Sequence, residues 1–356
     1  MKQTFQKLML MIAAIMTSSF VAVAQQMPPV PTDPQIRIGK LDNGLTYYLR
    51  HNEYPKGLAD FYIVQKVGSV QENDNQRGLA HFLEHMCFNG TEHFPGKSMI
   101  NYLESIGVKF GADLNAYTSI DETVYNINNV PVNAEGAIDS CLWILHDWAD
   151  GLTLDPEEID KERGVIHEEW RGRNTAMMRM QERMLADIFP GNKYGRRLPI
   201  GTMDVVDNFP HQALRDYYEK WYRPDLQGIV VVGDIDVDLV EKKIKKIFKK
   251  IKKAKNPAER VYYGVEDNKE MIFSQQIDKE QQNYVLQLMY KHDVPSRDQR
   301  NTKEYIRDNT KRSIAISMLN SRFSEIMSKE NPPYMRAGVG YSGFGVTEMK
   351  KAFSVM

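Results

Sequence analysis

The sequence predicts an α+β fold: an antiparallel-rich sheet with helices packed on one face, in a first domain that is complete and a second of similar type that is incomplete. Three observations predict it. Short runs of strand-forming residues alternate with longer runs whose apolar residues recur at helical spacing. An Asn43-Gly44 pair stands between two strand-like runs, as in a hairpin. The 356 residues, 42% hydrophobic and 26% charged, have a globular balance and the length of one large domain, or of one domain and part of another.

In chain order, residues 1–24 read as an export signal. Lys2 and Lys7 give the positive start, Leu8 to Ala24 is largely apolar, and Ala22-Val23-Ala24 offers a cleavage site before Gln25. The apolar core is short for a membrane span, so export with cleavage is preferred over an anchor. Residues 25–35, rich in Gln and Pro, read as a linker. The first domain is expected over 36–255. Asn43-Gly44 predicts a type I′ turn with positive φ angles, returning into a strand over 45–50. A second strand is expected over 61–67. A helix over 78–89 carries the apolar stripe Leu79, Phe82, Leu83 and Met86. Another over 98–106 is stopped by Gly107. Strands follow over 109–119 and 123–130, then an apolar helix over 134–149.

Asp155 reads as an N-cap with Pro156 in the first helical position, and Glu158 completes a capping box. That helix is expected to run to about 188, where Pro190 and Gly191 end it. A helix over 213–221 precedes Gly-Ile-Val-Val-Val-Gly at 228–233, a strand of the continuous apolar type. Residues 237–253 form a basic amphipathic helix, with nine lysines between Lys242 and Lys255. Its stripe of Ile244, Ile247, Phe248 and Ile251 could lie on a membrane surface. A packed helix with a solvated basic face is preferred, because the preceding strand offers a sheet to cover. A second α+β domain is expected over 257–356, with strands over 284–290, about 338–341 and 352–356, and a helix over 303–327. The final strand-like run has no polar tail, so the chain is expected to be the N-terminal portion of something longer.

The net charge of −1, with no basic excess, argues against nucleic acid as a partner. No later stretch is apolar enough to cross a bilayer, so no stable membrane anchor is expected. Cys87 and Cys141 lie in apolar helical contexts and read as buried free thiols.

The chemistry concentrates in His81-Phe82-Leu83-Glu84-His85. Residues four apart stack on one helix face, so both imidazoles can reach one tetrahedral metal, with Glu84 beside it. This H-x-x-E-H order is the reverse of the thermolysin type. Zinc suits two nitrogens, one carboxylate and an open fourth position, and one Zn2+ per chain is expected. The third ligand is sought in Glu162 through Glu169. These two glutamates are seven residues apart and share a helix face. One can bind metal while the other hydrogen-bonds a ligand histidine. Glu168 and His167 point elsewhere, and His93, His146 and His211 lack partners at metal spacing.

With these residues on the page, the sequence resembles the pitrilysin and insulin-degrading-enzyme family of inverted zinc metallopeptidases. Gly78 to Pro95 is similar to its signature. Asn115-Ala116-Tyr117-Thr118-Ser119 looks like its substrate-binding edge strand, and Glu162-Arg163 through Glu169 like its third-ligand helix. Arg197 to Gly201, and Tyr222-Arg223-Pro224 through Asp234, match later landmarks. The resemblance implies His81, His85 and Glu169 as metal ligands, Glu84 as general base and Glu162 as hydrogen-bond partner of a ligand. It implies that Asn115, Ala116, Tyr117 and Thr118 hold a peptide as an added strand, where the plainer reading is an ordinary core strand. The spacing is similar to that of the long periplasmic members, which with the signal implies a periplasmic location. The family pairs two halves around the substrate, so a C-terminal half or a companion subunit is an expected partner. The function implied is a zinc-dependent endopeptidase acting on peptides or small unfolded proteins. The alternatives are a non-catalytic peptide-binding subunit, an inactive fragment lacking its other half, and a domain in which zinc only supports folding.

Overall fold

Strand residues with one buried face need a layer to cover that face, and here helices supply it. The computed structural model describes residues 29–356. The expected signal segment and the first part of the expected linker lie outside the described residues. The elements of the first part of the chain are β1 (Arg37–Lys40), β2 (Thr46–His51), β3 (Leu58–Gln65), α1 (Leu79–Met86), α2 (Ser98–Ser105), β4 (Leu114–Thr118), β5 (Thr123–Pro131) and α3 (Ala137–Asp150). After them come α4 (Pro156–Arg173), α5 (Ala176–Ile188), α6 (Met203–Asn208), α7 (His211–Trp221), β6 (Gln227–Gly233) and α8 (Val237–Phe248). The six strands form one sheet in the order β1-β2-β6-β3-β5-β4. Only β2 and β6 pair in parallel; the other neighbours are antiparallel.

In β3, Ala59, Phe61, Ile63 and Gln65 are buried while the residues between them are half-buried. That alternation marks a sheet with one fully covered face. β6 alternates in the same way, with Ile229 and Val231 buried and Val230 and Val232 half-buried, so the expected continuous apolar strand is covered fully on one face only. α3 covers β3 and β5. Its Trp148 is fully buried, donates Nε1–H to Cys87 O at 3.0 Å and lies 5.2 Å from the Tyr125 ring. α8 packs on α3 and β2, burying Val240, Ile244, Ile247 and Phe248. Its apolar stripe is thus used inside the fold, as the packed-helix reading expects. Cys87 and Cys141 are buried free thiols, and burial pushes both above the usual thiol range.

Four local expectations change. At the hairpin only Gly44 takes a positive φ, 107°, so the turn is not type I′. Asn43 is instead buried, donating to Phe248 O and Ile251 O at 2.9 Å each. Asp155 does cap α4, accepting from Glu157 N at 2.8 Å, but Glu158 turns outward to Lys161 and closes no capping box. The long helix expected from Pro156 is two helices, because the Thr175 side chain accepts from Met178 N and starts α5 afresh. Residues 109–113 are not strand: the Asp113 carboxylate accepts from Lys109 N at 3.0 Å and folds them into a turn, leaving β4 as five residues.

The chain divides into two compact units. Among the described residues the larger takes 33–286 and 342–352, the smaller 29–32, 287–341 and 353–356. Residues 257–286 carry no helix or strand and are tied down by side chains: Arg260 donates to Lys66 O at 2.8 Å, and Arg179 grips Asp278 at 2.8 Å. The later elements are β7 (Leu288–Asp293), α9 (Arg297–Arg300), α10 (Lys303–Met327), β8 (Val339–Phe344) and β9 (Thr347–Val355), the strands in the order β7-β9-β8. Among the described residues no helix is long and apolar enough to cross a membrane.

Candidate metal centre

The site is built on α1, and its start is held by backbone packing and one buried carboxyl. Gly78 caps α1 with φ 105°, a left-handed angle that favours glycine. Opposite it stands Gly201, where an added Cβ would come within 2.4 Å of the Gly78 Cα. Glu72, fully buried, accepts from Gly78 N at 3.1 Å and Ala80 N at 2.9 Å through one oxygen. Those N–H groups have no partner inside the helix, so the carboxyl replaces water there. Burial nevertheless raises the Glu72 pKa to about 8, against these bonds and nearby arginines. The folded chain then holds a proton that the unfolded chain releases near pH 4.5, so stability falls as pH rises between about 4.5 and 8 and levels off above. Glu72→Gln should flatten that slope in thermal melts across pH; a slope unchanged in the variant would assign it to another group.

Along α1, His81, Glu84 and His85 face α4 and β4. The His81 and His85 rings lie 4.7 Å apart at 76°. Glu169 Oε2 stands 3.5 Å from His81 Nε2 and 3.3 Å from His85 Nε2. Ligands about 2.0–2.1 Å from a tetrahedral zinc are separated by about 3.3 Å, so Glu169 stands near zinc spacing from each histidine nitrogen, and the three donors all lie within 4.8 Å of one another. The charges fit as well. Burial and the neighbouring His85 lower the His81 pKa to about 4, leaving a neutral imidazole as a ligand requires. Burial would lower His85 too, but hydrogen bonds to Glu162 and Glu169 outweigh it and raise its pKa to about 9. A proton on His85 thus balances the two carboxylates, and a divalent cation would take over that balance and release it.

Each ligand is aimed differently. His85 Nδ1 bonds Glu162 Oε1 at 2.7 Å, which turns Nε2 toward Glu169. His81 Nδ1 is buried with no hydrogen-bond partner among the described residues, so packing takes the larger part in aiming that ring. Glu169 is gripped at its other oxygen by Arg173 at 2.8 Å, one helical turn on. Glu84 accepts from the Thr118 hydroxyl, and burial, partly offset by that bond, raises its pKa. The metal-facing groups open into a cleft of about 470 Å³, walled on one side by β4 and on the other by Trp170, Met178 and Leu198.

The structure therefore brings His81, His85, Glu169, Glu84 and Glu162 together. β4 is an edge strand, with Asn115 and Tyr117 exposed and Ala116 and Thr118 half-buried. The Asn115 side chain accepts from Ala116 N at 2.9 Å. Thr118 lies against Glu84, a contact the sequence does not signal. His167 pairs with Asp207 at 2.6 Å and Glu168 with Arg171 at the surface.

Sequence reasoning also missed Arg173, although its i, i+4 spacing from Glu169 was readable. It missed Asn89, which donates to Glu162 Oε2 at 2.7 Å. His93 and His146, expected to lack partners at metal spacing, stand with Asp147 so that their ligand atoms lie within 4.8 Å of one another, and both contact Asp147 Oδ1, at 2.7 Å and 3.2 Å. Asp147 Oδ2 accepts from the Thr91 hydroxyl at 2.6 Å and His93 N at 2.8 Å. Four donors saturate that buried carboxylate, which ties the loop after α1 to α3. His211 pairs with Asp160 at 2.8 Å.

Comparison with known proteins decides the family. Residues 48–199, which contain all of these metal-facing groups, match the insulinase family of peptidases, family M16, and residues 208–330 match the M16 inactive domain. The crystal structure of the first half of the periplasmic protease PqqL from Escherichia coli superposes with a TM-score of 0.79 at 31% identity, over 92% of this chain and 69% of that one. This chain belongs to the M16 peptidase family. Among curated M16 relatives, the probable zinc protease PqqL of Haemophilus influenzae is 40% identical over 216 residues, 61% of this chain and 23% of its own length. The probable zinc protease PqqL of Escherichia coli is 34% identical over 296 residues, 83% of this chain and 31% of its own length. The chain thus spans about a quarter to a third of these M16 proteins. The M16 assignment agrees with the resemblance read from the signature, and the α+β fold is that of the M16 halves.

Proposed function

We propose that this M16 chain carries the catalytic centre of a zinc-dependent endopeptidase that cleaves peptides or small unfolded proteins. The supporting observation is the convergence of two imidazole nitrogens and one carboxylate oxygen within 4.8 Å of one another, beside an acidic residue in an open cleft. His81, His85 and Glu169 would hold one Zn2+, which when bound polarises the scissile carbonyl and acidifies the attacking water.

The remaining work belongs to the protein. Glu84 would take the proton of that water and pass it to the leaving amine. Its raised pKa makes it a better base than an exposed carboxylate, and the Thr118 hydroxyl orients it. Glu162 keeps His85 in the tautomer that presents Nε2, and Arg173 keeps one oxygen of Glu169 turned inward. An extended peptide would add to the free edge of β4 along Asn115, Ala116, Tyr117 and Thr118, exchanging the Asn115 bond at Ala116 N for its own carbonyl. Backbone pairing of that kind tolerates many sequences. We place the mature chain in the periplasm after removal of residues 1–24, with a first domain ending near residue 255 and a C-terminal half or companion subunit closing over the cleft.

The test is a quenched-peptide assay on the chain with and without such a half. Chelation should abolish cleavage, and one equivalent of zinc should restore it. Cleavage that survives complete metal removal would rule the reading out.

A further inference from the structure

We infer that Lys97 and Asn89 are positioning residues for His85, acting through Glu162. The inference rests on the metal-centre reading above and extends it outward by two groups. His85 is turned by Glu162 Oε1 at 2.7 Å. The other oxygen of Glu162 accepts from Asn89 Nδ2 at 2.7 Å. Asn89 Oδ1 in turn accepts from Lys97 Nζ at 2.5 Å. The chain of contacts therefore runs Lys97, Asn89, Glu162, His85 Nδ1, on the ring whose Nε2 faces Glu169.

Its direction is fixed by chemistry. An ammonium only donates, so the amide must turn its oxygen to Lys97 and its NH2 to Glu162. The positive charge polarises that amide and strengthens the N–H bond to the carboxylate. Asn89 is only 6% exposed, and Glu162 retains 13% of its side-chain exposure, so these bonds face little competition from water. Asn89 also lies just past the end of α1, in the loop that leads to α2. The arm thus joins the ligand helix, the following loop and α4 at one carboxylate. Partners of this kind fix a ligand's tautomer and ring angle, and losing one typically costs about 10- to 100-fold in metal affinity.

Three variants of the full chain test this by zinc affinity, measured by chelator competition, with melting of the metal-free form as a control. Asn89→Asp keeps the side chain's shape and the Lys97 contact but faces Glu162 with an acceptor. It should weaken zinc binding at least as much as Asn89→Ala, about 10- to 100-fold. Lys97→Met, at an exposed position, should weaken it less while leaving the metal-free melt unchanged. In the double variant Asn89→Ala/Lys97→Met, the loss of zinc affinity should be smaller than the sum of the two single losses, because the lysine acts mainly through the amide and only secondarily through its charge on Glu162. Wild-type affinity in both Asn89→Asp and Lys97→Met overturns the inference, as do additive losses in the double variant. Absence of stoichiometric zinc in the wild-type chain would instead remove the metal-centre reading itself.

Discussion

Replacing Glu84 with Gln is expected to slow peptide hydrolysis by about 10²- to 10⁴-fold while one zinc per chain stays bound. The amide keeps the shape of the side chain and still offers an oxygen to the Thr118 hydroxyl, so the site should hold its geometry. What it loses is the ability to take a proton from the attacking water. Glu84 stands outside the set of three donors that converge within 4.8 Å, and metal binding should therefore be unaffected. Burial already works against a charge at this position, so the neutral amide should not lower the melting temperature. The measurements are steady-state hydrolysis, zinc content and a thermal melt on the same preparation. Turnover close to wild type would assign the base to another group.

The second large effect is expected at Glu169. Glu169→Ala deletes the oxygen that lies 3.3 Å and 3.5 Å from the two histidine nitrogens. Two imidazoles alone make a poor zinc site, and affinity should fall by more than the roughly 100-fold that an outer partner can cost. Hydrolysis should disappear with the metal. The glutamate is partly exposed, so the metal-free protein should melt close to wild type. Glu168→Ala is the control, because Glu168 pairs with Arg171 at the surface and should leave both zinc and activity intact. The opposite outcome, zinc lost in Glu168→Ala and kept in Glu169→Ala, would reassign the third ligand.

Much of this centre was legible before any fold was known. His81, Glu84 and His85 lie within one helical turn, where periodicity alone puts them on one face. The choice between Glu162 and Glu169 was not legible from spacing, since both occupy the same face of α4. Only the packing of α1 on α4 shows that Glu169 reaches both Nε2 atoms while Glu162 meets Nδ1 of His85. Contacts from outside the two ligand helices were invisible for a different reason. Asn89, Lys97, Glu72 and Thr118 carry no periodic signal, and their roles depend on where the chain returns in space.

The fold shows the same division. The α+β class and the positions of α1, α3 and α8 follow from apolar periodicity, because a helix or strand must bury its stripe to form at all; α10 lies over the expected residues 303–327 although none of its residues is buried. Where elements end was decided by competing hydrogen bonds that no pattern displays: the Thr175 cap that splits the long helix, the Asp113 turn that shortens β4, and the use of Asn43 as a core ligand for backbone carbonyls. The sequence by itself determined which residues could bind a metal, since donor type and helical spacing are local properties. Tertiary structure alone decided which of them meet, because a site of three donors on two helices exists only once the sheet and its covering helices set the distance between those helices.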